Sequence, residues 1–271
     1  MKLISIKGKG EKKEDVILFV HGAWHGAWCW EKYFMPFFAN SGYDTYALTF
    51  RNHEKAGRIN GINNTRLKDY LEDLVKAVSQ INKPPIIIGH SMGGLVLQKY
   101  LAENSCKKAI FLAAVPPSGV LRLATKLMFT TSYMLACLFV RDLFVLVDRK
   151  IRVKWSFFSE DAPNEDIQYC FNNLCSESFW AFLDMLFPIV KSTSHLQIPM
   201  LALGAQEDKF FTKKENEMIA KKCNADSMML PNIAHDMMLD KNWQSAALYI
   251  KDWIENARIG QSTERDKQLL S

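Results

Sequence analysis

Short apolar runs alternate with amphipathic stretches along most of this chain. Val16–Val20, Thr45–Leu48, Ile86–Ile88, Ala109–Ala113, Met200–Leu203 and Ser227–Leu230 are brief, mostly apolar and bounded by polar or turn-forming residues. That pattern predicts strands, the most apolar of them buried on both faces. Leu3–Ile6 is expected to add an edge strand, with the polar stretch Gly8–Asp15 turning the chain before Val16. Helical periodicity fills the intervals. Leu67, Tyr70, Leu71, Leu74, Val75, Val78 and Ile81 form one stripe. Asn63, Asn64 and Thr65 offer caps at its start, Lys83-Pro84 stops it, and a closing helix is expected over Trp243–Ile254. Strands alternating with helices predict an α/β fold with a mostly parallel central sheet flanked by helices.

One segment breaks the alternation. From Pro116 to Ile198 no strand pattern occurs, and helix-like pieces lie near 121–147 and 164–187. Because alternation resumes afterwards, residues 1–115 and 199–258 are read as one discontinuous core and 116–198 as an inserted helical cap; 259–271 is a polar, flexible tail. The cap would hang over the C-terminal ends of the strands, the edge where ligands bind in open α/β sheets. Phe129, Tyr133, Phe179 and Phe182 of the cap, with Trp24 of the core, are candidates to line an apolar substrate pocket. Leu127–Val140 is uncharged, but its 14 residues fall short of the roughly 20 that cross a bilayer.

Composition narrows the function classes. The chain of 271 residues is 48% hydrophobic with a net charge of +5, enough apolar content for a large core and no basic block that would fit nucleic acid. Arg149–Lys154 is read as a solvated edge, with weak contact to an anionic membrane surface as the lesser reading. Six cysteines without a C-x-x-C pair and an N-terminus with no secretory pattern suggest reduced thiols in a cytoplasmic protein. The oligomeric state stays open.

The chemistry concentrates at Ile86-Ile87-Ile88-Gly89-His90-Ser91-Met92-Gly93-Gly94. A buried strand runs into Gly-x-Ser-x-Gly and then into a helical pattern, the context of a nucleophile elbow. Ser91 would stand at the apex of a strained turn. A serine hydroxyl needs a base, and the base needs a group that holds its tautomer. His235 follows the last expected strand in a loop and is the candidate base. Asp208, after Met200–Leu203, is the candidate orienting acid, with Glu207 its neighbour; Asp236 is adjacent to the base and badly directed. His90 is read as structural. The oxyanion would take backbone N–H groups from Met92 and, across the chain, from Ala23 after Gly22. His21 and His25 are four apart in a glycine-broken loop with no third donor nearby in the sequence, so no metal site is assigned.

Taken together, His21-Gly22, Gly89-His90-Ser91-Met92-Gly93-Gly94, Asp208 and His235 resemble the motifs of the serine α/β-hydrolase superfamily, in order, over nearly the whole chain. Val20–Trp30 is similar to the start of plant methylesterases and hydroxynitrile lyases. Ala113–Gly119 and Ala234–Leu239 look closer to a group of bacterial hydrolases labelled lysophospholipase-like. The resemblance implies the α/β-hydrolase fold and cleavage of a carboxylic ester through an acyl-serine, with a small-molecule ester as substrate and no cofactor. Hydroxynitrile lyases carry lysine directly after the histidine, where this chain has Asp236. An acyltransferase on the same residues, and a ligand-binding protein with little turnover, are the alternatives.

Overall fold

The computed structural model describes residues 1–257 except 131–136, 138–139, 192 and 194–195. Each expected strand forms within a residue or two of its expected ends: β1 (Lys2–Ile6), β2 (Val16–Val20), β3 (Asp44–Thr49), β4 (Ile86–His90), β5 (Lys108–Leu112), β6 (Met200–Ala205) and β7 (Asp226–Leu230). They make one seven-stranded sheet in the order β1-β3-β2-β4-β5-β6-β7. Only β1 runs antiparallel, against β3. The continuous apolar character of β2, β4 and β6 has its counterpart in their burial along every residue, since helices flank the sheet.

Among the described residues run the helices α1 (Trp28–Glu31), α2 (Phe34–Asn40), α3 (Leu67–Ser79), α4 (Met92–Tyr100), α5 (Leu121–Thr130), α6 (Lys150–Phe157), α7 (Asn164–Asn173), α8 (Phe179–Leu186), α9 (Lys213–Cys223) and α10 (Trp243–Asn256). α3 starts at Leu67, where its apolar stripe begins, but none of the expected residues caps it. Ile62–Asn64 close a separate 3-10 turn, and the cap position falls to Arg66, whose N–H donates to Asp69 Oδ2 at 2.6 Å. Asn63 is drawn away to accept from the Phe179 N–H at 2.7 Å.

Between β5 and β6 the described residues carry helices and no strand. Within the helix-like piece read near 121–147, α5 covers Leu121–Thr130 and Leu143–Leu146 is a 3-10 turn, while 131–136 and 138–139 lie outside the described residues. The basic run Arg149–Lys154 is not a plain solvated edge. It caps and opens α6, and helical spacing turns part of it inward. Tyr133, most of Leu127–Val140 and the tail 259–271 lie outside the described residues. No helix among the described residues is long and apolar enough to cross a membrane.

Strand order prepares the site. The chain winds from β2 to β3 on one side, then returns to lay β4 on the other, so the order of winding reverses between the parallel neighbours β2 and β4. Val20 pairs with Gly89, which sets the loop after β2 beside the turn after β4. β6 and β7 end on the same edge and deliver the loops that carry Asp208 and His235.

Candidate active site

Ser91 links β4 to α4 with φ 51° and ψ −117°, a conformation that costs about 1–3 kcal/mol for a residue with a side chain. Its backbone is held from several directions. The Ser91 N–H donates to Leu112 O at 3.1 Å, and Ser91 O accepts from Gly94 and Val115 N–H at 3.0 and 3.1 Å. Glycine at 93 is a matter of space: a Cβ there would lie 2.5 Å from the carbonyl oxygens of Val20 and His21. A Cβ on Gly22 would lie 2.9 Å from Ser91 Cβ, so the loop after β2 can close over the serine only without a side chain.

His235 Nε2 is 3.1 Å from Ser91 Oγ, and His235 Nδ1 is 2.8 Å from Asp208 Oδ2. Asp208 Oδ1 accepts from the Phe210 and Phe211 N–H groups at 2.7 and 3.2 Å, which fixes the carboxylate in the plane the imidazole needs. Thr212, not Asp208, caps α9. Rings of Phe157, Phe210 and Phe211 pack around His235. Burial opposes the charged imidazole, but the Asp208 carboxylate outweighs it and holds the His235 pKa above its ordinary 6.5.

Ala23 and Met92 flank Ser91 on the wall of the same cavity. Met92 opens α4, where the first amides have no partner within the helix. No hydrogen bond within the described residues engages either amide. The cavity measures about 580 Å³ and its wall is mostly apolar, from Val115, Leu123, Leu127, Leu146, Met185 and Phe211 among others. Of the expected substrate-contacting residues, Trp24 and Phe182 line it. Trp24 also ties the loop after β2 to the segment beyond β5, through Nε1 donating to Leu143 O at 3.2 Å. Phe129 does not line it. It sits on the outer side of α5, 89% exposed. Phe179 does not line it either and is buried with its ring against Trp180.

A second polar cluster lies behind the histidine. His25 Nε2 faces Asp236 Oδ2 at 2.9 Å and its Nδ1 faces Ala23 O at 2.7 Å. Burial would raise the Asp236 pKa, but His25 outweighs it and holds the carboxyl below its ordinary range. His90 is pushed down to about 3, by burial first and by His235 second. Neutral His90 donates from Nε2 to His235 O at 3.1 Å, so the residue before the serine holds the backbone of the histidine. Sequence spacing showed no third donor near His25, yet the fold brings Cys170 and Asp236 to it, with donor atoms within 4.8 Å of one another. His25 Nε2 already takes up Asp236 Oδ2 there, while Asp236 Oδ1 is buried without a hydrogen-bond partner. His21 is not in the group: its Nε2 accepts from the Phe50 N–H at 3.1 Å and its Nδ1 faces Gly22 O. Asp236 orients His25, not His235. The clue in the sequence was adjacency alone, His90 beside Ser91 and Asp236 beside His235.

Residues 17–242 match the family model described as alpha/beta hydrolase family. Over 129 residues the chain is 33% identical to norfluorocurarine synthase 1 of Strychnos nux-vomica, covering 42% of this chain and 44% of that protein. Over 120 residues it is 31% identical to methyl jasmonate esterase 1 of Vitis vinifera, covering 42% and 45%. The matched part thus spans less than half the length of these curated relatives. Among solved structures, an esterase from Exiguobacterium antarcticum superposes with a TM-score of 0.68 at 14% identity, covering 94% of this chain and 95% of that one. At that identity the likeness is one of fold.

Proposed function

The chain belongs to the alpha/beta hydrolase family, and from that premise we propose that it hydrolyses carboxylic esters with an apolar acyl or alcohol portion through an acyl-serine intermediate on Ser91. The observation that carries this reading is the unbroken line from Ser91 Oγ through His235 to Asp208, set at the wall of an apolar cavity. Ser91 Oγ attacks the ester carbonyl carbon as its proton passes to His235 Nε2. The carbonyl oxygen becomes an oxyanion that accepts from the Ala23 and Met92 N–H groups, a contribution worth about 10²–10³ in turnover per donor. The C–O bond then breaks, and the alcohol leaves with the proton from His235. Water attacks the acyl-serine, gives its proton to His235, and the acid departs as Ser91 Oγ takes the proton back. Residues 116–198 act as the cap that supplies part of the apolar wall, with Val115, Phe210 and Phe211 of the core completing it. The grape relative, by its name an esterase for methyl jasmonate, supports ester cleavage as the reaction.

A series of p-nitrophenyl esters of increasing acyl length tests the reading. kcat/KM is expected to climb from acetate to the medium-chain esters by up to about fourfold per methylene buried, then level off once the cavity is filled. Turnover that falls from acetate upward would remove the apolar pocket from the account, and no turnover of any ester would remove the reaction.

A further inference from the structure

The cavity wall is apolar almost throughout, yet α6 and its cap bring two positive charges to it. Arg149 and Arg152 both line the cavity, and among the described residues no acidic side chain does. Their situations differ. Arg152 is largely buried, its Nη1 donating to Asp148 Oδ1 at 2.6 Å and to Val145 O. It therefore cancels the nearby Asp148. Asp142, the other acid of this turn, pairs with Arg58 at 2.8 Å. Arg149 is exposed and forms no ion pair or side-chain hydrogen bond with any described residue. Its neighbours on the wall, Ile151 and Trp155, are 71% and 38% exposed, whereas Ser91 is 8% exposed. Arg149 thus stands at the cavity mouth and Ser91 deep within.

An unpaired guanidinium beside an apolar channel is a receptor for a carboxylate or a phosphate, which it can grip with two parallel N–H bonds. We propose that the ester cleaved here is an anionic amphiphile: its apolar part fills the cavity, its ester reaches Ser91, and an acidic group at the far end is received by Arg149. The proposal rests on the ester-hydrolase reading and adds the substrate's charge to it. Arg152, by neutralising Asp148, keeps the mouth free of opposing charge.

The test compares three p-nitrophenyl esters of one acyl length, ending in a methyl, a carboxylate or a phosphate. The wild-type protein is expected to favour at least one acid-ended ester over the methyl-ended one by about tenfold in kcat/KM, with the preference shrinking as salt is added. The two acid arms tell which anion is meant. In Arg149→Gln the ratio is expected to fall to near one, and in Arg149→Glu to invert. A wild-type preference for the neutral ester, or a ratio that survives both substitutions, overturns the proposal while leaving ester hydrolysis standing. If Arg149→Gln instead lowers binding to anionic vesicles and leaves the substrate ratio unmoved, the arginine serves a membrane surface and the proposal is equally overturned. Failure to turn over all three esters strikes the hydrolase reading itself.

Discussion

Alanine in place of His235 is expected to lower kcat/KM for a p-nitrophenyl ester by about 10⁴–10⁶-fold, with the fold retained by circular dichroism. The neighbouring titratable groups are not placed to take the proton. His90 is the nearest other imidazole, but its Nε2 is committed to His235 O and its pKa is pushed down to about 3. Asp236 faces His25. Oxyanion stabilisation and substrate binding would survive and leave a residual rate about 10³–10⁴ above water. A loss of less than a hundredfold would mean that another group serves as the base.

Asparagine at 208 is expected to cost about 10⁴ in kcat, for a reason of tautomers. Asp208 Oδ1 accepts from two backbone N–H groups, so an amide there must keep its oxygen on that side and turn its NH₂ toward His235. The imidazole would then accept at Nδ1 and carry its proton on Nε2, pointing at Ser91 and unable to act as base. The pH profile reads the same contact. His235 must be neutral to accept a proton, and Asp208 holds its pKa above 6.5. Wild-type kcat/KM is therefore expected to rise with pH through a limb above pH 6.5. Without the carboxylate, burial dominates and the limb of Asp208→Asn moves to lower pH. An unmoved limb would show that Asp208 does not set the charge of His235.

The sheet was legible because its strands are short apolar runs between polar turns, and strand order then fixes which loops meet. Ser91, Asp208 and His235 are candidates in the sequence because each follows an expected strand end. The structure brings all three within hydrogen-bonding reach. What sequence hid were contacts between residues with no shared periodicity. His25 and Asp236 are 211 positions apart, and nothing in either neighbourhood points to the other. The segment between β5 and β6 was least legible for a related reason. A helix rich in Phe and Met says that some face is buried, not which face meets a cavity; Phe182 lines it while Phe129 and Phe179 do not. The run Arg149–Lys154 looked like a solvated edge because it was read as a block of charge. Read at helical spacing, Arg149, Arg152 and Ser156 fall on one side, three and seven positions apart, and all three line the cavity.

Covalent labelling tests the central claim most directly. The protein is treated with a fluorophosphonate, digested, and the modified peptide located by mass spectrometry. The account predicts a single adduct on Ser91, formed through His235 and absent from a folded Ser91→Ala variant. An adduct on another residue, or wild-type labelling no stronger than that of Ser91→Ala, would contradict it.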